Sequence, residues 1–408
     1  MAVNLAQPDA LQPIAGAQWA TAAAGIKAPG RTDIALLLLP QTATVAAVFT
    51  RNAFAAAPVQ LARRHMQQSA PRVMLINSGN ANAGTGDAGL DDARACCQAV
   101  ADTLGLQPQQ VLPFSTGVIG ERLPLAAVQQ ALVGVNTRLC EHNWLAAAKA
   151  IMTTDTVPKA VTRSMTVSAE DGSTRQITLT GIAKGSGMIR PDMATMLAFV
   201  ATDAFIAQPD LDTALRVAVE RSFNCISVDG DTSTNDACVV SATGSGVHLS
   251  PDHDHWSAFT AALTDLLREL AQAIVRDAEG ATRFITLAVT GADSDQQARD
   301  VAFTVAHSPL VKTACFAGDP NWGRILAAVG RAPIADLDIG GVSITLDDVV
   351  LIDAGQPAGS YREADGAQVM EQSEFTIAID LGRGSGAATI WTSDLSYEYV
   401  RINAEYRS

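Results

Sequence analysis

Near the middle of the chain, Lys184-Gly-Ser-Gly-Met-Ile-Arg-Pro-Asp-Met-Ala-Thr195-Met-Leu gathers a lysine, two hydroxyls and a proline around glycines. Strand-like runs flank it, Gln176-Ile-Thr-Leu-Thr180 before and Met196-Leu-Ala-Phe-Val200 after. Gly181, Gly185, Gly187 and Pro191 make the connection irregular, so neither one strand nor one helix can continue through it. Thr195 follows the small Ala194. Were the Ala194–Thr195 bond cut, Thr195 would carry a free α-amine beside its own hydroxyl, a nucleophile and a general base in one residue. That amine has a reference pKa of roughly 7.7–8.0, closer to neutrality than a lysine at about 10.4. The cut could use the same hydroxyl: Oγ attacks the Ala194 carbonyl, an N→O shift gives an ester, and water hydrolyses it. Uncut, the same threonine is a β-branched residue opening a half-buried strand. A phosphate-binding loop is excluded, because there the glycines precede the lysine and a helix follows.

Other groupings carry less chemistry. Asp229-Gly-Asp231 has the look of an acidic metal loop but lacks the twelve-residue ligand pattern, so no metal is assigned. His253 and His255 stand in a Pro/Asp-rich entry to a helix. The six cysteines include no C-x-x-C and no zinc-type spacing with histidine, and read as reduced core residues. Gly382-Arg-Gly-Ser-Gly386 lies between strands, which is the wrong context for a dinucleotide fingerprint.

The elements that must position Thr195 follow from periodicity. Strands are expected at 33–39, 45–50, 73–76, 284–289, 342–346, 349–352, 375–379 and 388–391, with a hairpin of 162–168 and 175–180 around Asp171-Gly172. Val73–Ile76 runs into an Asn/Gly-rich segment, 77–86, read as a tight loop. Helical stripes cover 90–104, 143–152, 211–223 and 259–278, and shorter helices are expected from Pro124, at 311–316 and at 325–329. Strands in runs with helices between the runs favour an α+β layered sandwich over a doubly wound parallel sheet.

With 408 residues the chain can bury a large core and form two lobes. Hydrophobic residues at 48% and charged ones at 17% describe a soluble globular protein. A formal charge of -14 argues against nucleic acid or an anionic membrane surface as partner. The N-terminal residues show no basic and apolar signal pattern, and the apolar run Ile34–Leu39 is too short to span a bilayer. A cytoplasmic location is expected.

Six segments, in order, resemble the ornithine acetyltransferase (glutamate N-acetyltransferase) family of arginine biosynthesis, together with the Lys184–Leu197 stretch. They are Asn77-Ser-Gly-Asn-Ala-Asn-Ala-Gly84, Ser115-Thr-Gly-Val-Ile-Gly120, Ile151-Met-Thr-Thr-Asp-Thr156, Asp229-Gly-Asp-Thr-Ser-Thr-Asn-Asp236, Gly318-Asp-Pro-Asn-Trp-Gly-Arg324 and Asn403-Ala-Glu-Tyr-Arg-Ser408. The resemblance spans nearly the whole chain. It implies an αββα-type sandwich with a smaller second lobe at the C-terminal end, of the N-terminal-nucleophile kind. It further implies self-cleavage between Ala194 and Thr195 into fragments 1–194 and 195–408, which stay folded together, with two copies of each in the assembly.

By the same resemblance Thr195 is the nucleophile and Thr116 with Gly117 forms the oxyanion hole. Thr153 or Thr154, Lys184, Thr195, Glu279, Asn403 and Ser408 contact the substrate. An α-amino acid would set its ammonium on Glu279 and its carboxylate on Lys184 and the hydroxyls. The implied reaction moves acetyl from N-acetylornithine to glutamate by a ping-pong route. No cofactor is expected, and the resemblance leaves open whether acetyl-CoA serves as a further donor. Two other readings stand beside it: a hydrolase of the same nucleophile type, such as an aminopeptidase, and an uncut small-molecule-binding protein.

Overall fold

The strand Ile34–Leu38 is apolar without alternation because both of its faces are buried: Ile34 and Leu36 pack into one core, Ala35 and Leu37 into another. That one strand already requires two covered faces. The computed structural model, which describes residues 2–169, 171–190 and 196–405, supplies them. Its first elements are β1 (Gln18–Ala22), β2 (Ile34–Leu38), β3 (Thr44–Phe49), α1 (Ala57–Gln68), β4 (Val73–Asn80), α2 (Gly86–Leu104) and β5 (Val111–Val118). Next come α3 (Leu125–Leu132), α4 (Trp144–Ala150), β6 (Lys159–Ser168), β7 (Thr174–Lys184), β8 (Leu197–Thr202), α5 (Gln208–Glu220), β9 (Ile226–Ser227), β10 (Ala237–Ala242) and α6 (Trp256–Arg276). The remainder is β11 (Phe284–Ala292), α7 (Asp295–Ala306), α8 (Pro309–Ala317), α9 (Trp322–Gly330), β12 (Ser343–Leu346) and β13 (Val349–Asp353). It ends with β14 (Gln356–Pro357), α10 (Glu363–Met370), β15 (Glu374–Asp380), β16 (Gly386–Ser393) and α11 (Tyr397–Ala404).

Two sheets face each other. One has the order β1-β2-β4-β5, the other β3-β10-β8-β7-β6. Trp19, Leu37, Met74 and Phe114 from the first meet Ile182, Phe199 and Val239 from the second. Phe199 is the hub, edge-on to Phe114 at 5.0 Å and to Trp19 at 6.1 Å. Helices close both outer faces. Leu61 of α1 and Cys97 and Val100 of α2 cover the first sheet, while Leu211 of α5 and Phe259, Leu263 and Leu270 of α6 cover the second. The layers therefore run helix, sheet, sheet, helix, as expected. The C-terminal lobe is a seven-stranded sheet, β14-β13-β12-β15-β11-β16-β9, with its own core against α7, α8 and α9. Its edge strand β9 lies between α5 and β10 in sequence and pairs parallel with β16, so the lobe is stitched to the sandwich.

The strand expected at Val73–Ile76 runs on to Asn80 instead of giving way to a loop at 77. It stays paired with β5 through a bulge at Gly79 and Asn80. Helices α1, α7, α10 and α11 and strands β1 and β10 were not legible as periodic runs.

Candidate active site

Lys184 closes β7, and its side chain is buried, so protein groups must meet its ammonium. Nζ donates to Thr116 Oγ1 at 3.3 Å. Burial pushes its pKa down, Lys159 adds to that, and the carboxylates of Asp155, Asp236 and Glu279 pull it back up.

Thr116 and Gly117 sit at the end of β5, beside the bulge in β4. Gly117 has φ +137°, and a Cβ there would fall 2.2 Å from the Gly79 carbonyl carbon, so no side chain fits. The strand is tied on both sides. Ser115 donates its hydroxyl proton to Asn77 Oδ1 at 2.6 Å, and the Asn235 amide donates to the carbonyls of Ser115 at 2.9 Å and Ala81 at 2.6 Å. A donor pair so fixed is suited to an oxyanion.

Thr153 and Thr154 follow α4. Thr154 Oγ1 lies 2.6 Å from Ser186 Oγ, and the Thr153 N–H donates to Asp155 Oδ2 at 2.9 Å. Beneath them Lys159 is wholly buried between two carboxylates, with Nζ at 2.6 Å from Asp155 and 2.7 Å from Asp277. Burial alone would raise the Asp155 pKa, but Lys159, Lys184 and the Gly185 N–H hold it well below the usual carboxylate range. Asp277 also accepts from the N–H groups of Thr156 and Val157 and from the Thr156 hydroxyl. This ionic cluster locks the Thr153–Val157 turn to the end of α6.

Glu279 lies just past that helix end and is buried, not solvated. Its N–H donates to the Ser186 carbonyl at 2.9 Å, and Asn403 Nδ2 on α11 donates to its Oε2 at 2.8 Å. A Cβ on Gly187 would lie 2.4 Å from Oε2, so glycine lets the carboxylate lie on the 185–188 backbone. Asp229 holds the next residues, accepting the N–H groups of Met188 at 2.6 Å and Ile189 at 2.9 Å. The acidic 229–231 loop is thus a backbone clamp. Among the described residues no group of three or more His, Cys, Asp or Glu is arranged to hold a metal.

A cavity of about 310 Å³ brings these pieces together. Thr116, Gly117, Thr153, Thr154, Lys184 and Glu279 line it, with Asn403, Met196 and the Ser233–Asp236 run. Ala194, Thr195 and Ser408 lie outside the described residues. Sequence reasoning missed Asp155, Lys159, Asp277, Asn235 and Asp236. A lysine opening the apolar alternation at 159 was the available hint. Asp155, Asn235 and Asp236 stood in two of the matched segments without an assigned role.

The chain matches the ArgJ family over residues 18–408. It is 56% identical over 400 residues to the arginine biosynthesis bifunctional protein ArgJ of Methylococcus capsulatus, covering 98% of this chain and 97% of that one. It is 50% identical over 411 residues to the protein of the same description from Pseudomonas fluorescens, covering both chains in full. The crystal structure of arginine biosynthesis bifunctional protein ArgJ from Bacillus halodurans is 40% identical, with a TM-score of 0.49 over 51% of this chain and 98% of that one.

Proposed function

Because the chain belongs to the ArgJ family, we propose that it is a self-processing acetyltransferase of arginine biosynthesis that moves acetyl from N-acetylornithine to glutamate. The observation that carries this reading is the convergence of Thr116, Gly117, Lys184 and Glu279 on one cavity that Met196, the residue after Thr195, also lines.

Maturation comes first. Thr195 attacks the Ala194 carbonyl, and hydrolysis of the resulting ester leaves fragments 1–194 and 195–408. In the first half-reaction Thr195 Oγ attacks the acetyl carbonyl while the α-amine takes its proton. The oxyanion that forms is held by the Thr116 hydroxyl and the Gly117 N–H. The C–N bond then breaks, the proton passes to the departing nitrogen, and ornithine leaves an acetyl-threonine. Glutamate enters the same cavity and the steps run in reverse to give N-acetylglutamate. Glu279 receives the ornithine ammonium, and Lys184 with Thr153 or Thr154 receives the α-carboxylate. Asn403 orients Glu279, and Ser408 completes the set. Acetyl-CoA serves as a second acetyl donor through the same acyl-enzyme. The working enzyme holds two copies of each fragment, acts in the cytoplasm and uses no bound cofactor.

Intact-mass analysis with an acetyl-transfer assay tests the reading. Wild type should yield a fragment beginning at Thr195 and should transfer acetyl only when glutamate is present. Thr195→Ala should give one uncut chain without activity. Fragments that begin elsewhere would sink the proposal, and acetate release without glutamate would make the protein a hydrolase.

A further inference from the structure

The two amino acids of the proposed reaction differ at the far end of the side chain. Ornithine ends in an ammonium and glutamate in a carboxylate, so one cavity must hold opposite charges in alternate half-reactions. Glu279 suits the first and repels the second. Lys184 is taken by the α-carboxylate in the function proposed above, and Lys159 is spent on Asp155 and Asp277. The γ-carboxylate of glutamate therefore needs another cation.

The loop between β1 and β2 holds one. Asp33 accepts the N–H groups of Ala24 at 2.7 Å and Ile26 at 2.6 Å, which fixes the backbone just ahead of Lys27. That backbone sits on the β4 bulge: a Cβ on Gly79 would fall 3.0 Å from Lys27 Cβ and 3.1 Å from its nitrogen. Gly79 is paired with Gly117, the oxyanion glycine. At its other end the Lys27 ammonium donates to the Thr153 carbonyl at 3.2 Å. Gly117 and Thr153 both line the cavity, so Lys27 spans from one wall to the other. Arg31 reaches the same turn and donates to the Met152 carbonyl at 2.7 Å. Among the described residues neither cation has a carboxylate within ion-pair distance. Like charges crowd Lys27 instead. Burial, Arg31 and Lys184 all lower its pKa, and only Asp155 opposes them. Asp155 is already shared among Lys159, the Gly185 N–H and the Thr153 N–H. A solvent-exposed ammonium held near a buried one, with no counter-ion of its own, is a place for an anion.

We propose that Lys27 receives the γ-carboxylate of glutamate and so selects glutamate as the acetyl acceptor. The inference rests on the acetyl transfer proposed above. Lys184 and Lys27 hold the two carboxylates of one molecule, and its amine stays free to attack the acetyl group. Ornithine turns its ammonium to Glu279 instead. A role confined to structure would be different: Lys27, like Arg31, would only cap the carbonyls left free beyond the C-terminal end of α4. Such a cap would act on stability and on every substrate alike.

In a ping-pong reaction kcat/KM for each substrate reports only its own half-reaction. Lys27→Met should therefore lower kcat/KM for glutamate about tenfold, between the effects of an exposed and a buried charge pair. Acetyl exchange between N-acetylornithine and labelled ornithine should not fall with it. Glutamine has the shape of glutamate without the charge, so the preference for glutamate over glutamine should shrink by the same factor. Lys27→Arg should restore that preference. Equal losses for glutamate, glutamine and ornithine would make Lys27 a structural cap and overturn the proposal, as would an unchanged preference. If the Met variant does not fold, wild type gives the reading through salt. Added salt should reduce kcat/KM for glutamate more steeply than for glutamine, and parallel salt curves would overturn the proposal. If wild type shows no acetyl exchange with ornithine, the proposed function falls. If it exchanges and Lys27→Met keeps the wild-type preference, only the role of Lys27 falls.

Discussion

Lys159 in the sandwich and Lys312 in the C-terminal lobe are both buried, and the fold treats them in opposite ways. Lys159 stands between Asp155 and Asp277, with both salt bridges under 3 Å. Lys312 on α8 donates to the Thr392 hydroxyl at 3.1 Å and to the Ser393 carbonyl, both neutral. The nearby Asp394 spends its oxygens on the N–H groups of Thr282 and Arg283 and on the Thr282 hydroxyl. Burial pushes the Lys312 pKa down to about 8, against the pull of Asp394. One cation is met by two carboxylates, the other only by neutral oxygens. The difference matches role: the Lys159 cluster supports the turn and helix end that line the cavity, whereas Lys312 joins α8 to the end of β16.

The strongest test of that comparison removes the cation from the sandwich. Lys159→Met strands two buried carboxylates, so unfolding free energy should fall by roughly 3–5 kcal/mol. Chemical denaturation reads this, and a loss below about 1 kcal/mol would show that the two salt bridges do not stabilise the fold.

Glu279→Gln tests whether charge on the cavity wall acts on substrate. The amide keeps the shape and the Asn403 contact, so self-cleavage should survive. Acetyl transfer from N-acetylornithine to glutamate should weaken by roughly 2–5 kcal/mol in kcat/KM, as for a stranded buried charge. Transfer at wild-type efficiency would reduce Glu279 to a helix-end carboxylate.

The smallest effect belongs to Lys312. An unfolded lysine has a pKa of about 10.4, while the folded one is near 8. Between those values the unfolded chain binds more protons, so stability rises with pH from 8 to about 10.4 and is level below 8. The gain should be on the order of 3 kcal/mol at most. Lys312→Met should lose this slope and change stability at pH 7.5 by no more than about 1–2 kcal/mol. Equal pH slopes for the two proteins would show that Lys312 does not titrate in this window.

Much of this architecture was legible because it follows local rules. β2 and β8 are buried on both faces and read as unbroken apolar runs, and α6 shows its stripe over many turns. What stayed hidden lacked such a pattern. α11 buries no side chain, so it has no stripe, and α7 buries mostly small residues. β10 sets two adjacent valines among alanine, cysteine and serine, which blurs a strand signal. The site divides in the same way. Thr116, Lys184 and Glu279 were named through resemblance, since no spacing rule links three residues from different layers. The Lys159–Asp277 pair joins positions 118 residues apart, and its burial is a property of the packed layers alone.

The order of the five-stranded sheet has a consequence for inheritance. β3, β7 and β6 come from before residue 194, and β10 and β8 from after it, so the sheet alternates origin along two seams. Each seam, β3 with β10 and β7 with β8, is a ladder of six residue pairs inside the core. Halves produced by a cut at 194–195 could part only by dismantling that sheet. In a cell carrying two damaged alleles, one altered before the cut and one after it, good halves from different chains would not find each other. Any complementation between such alleles would have to arise between whole folded subunits.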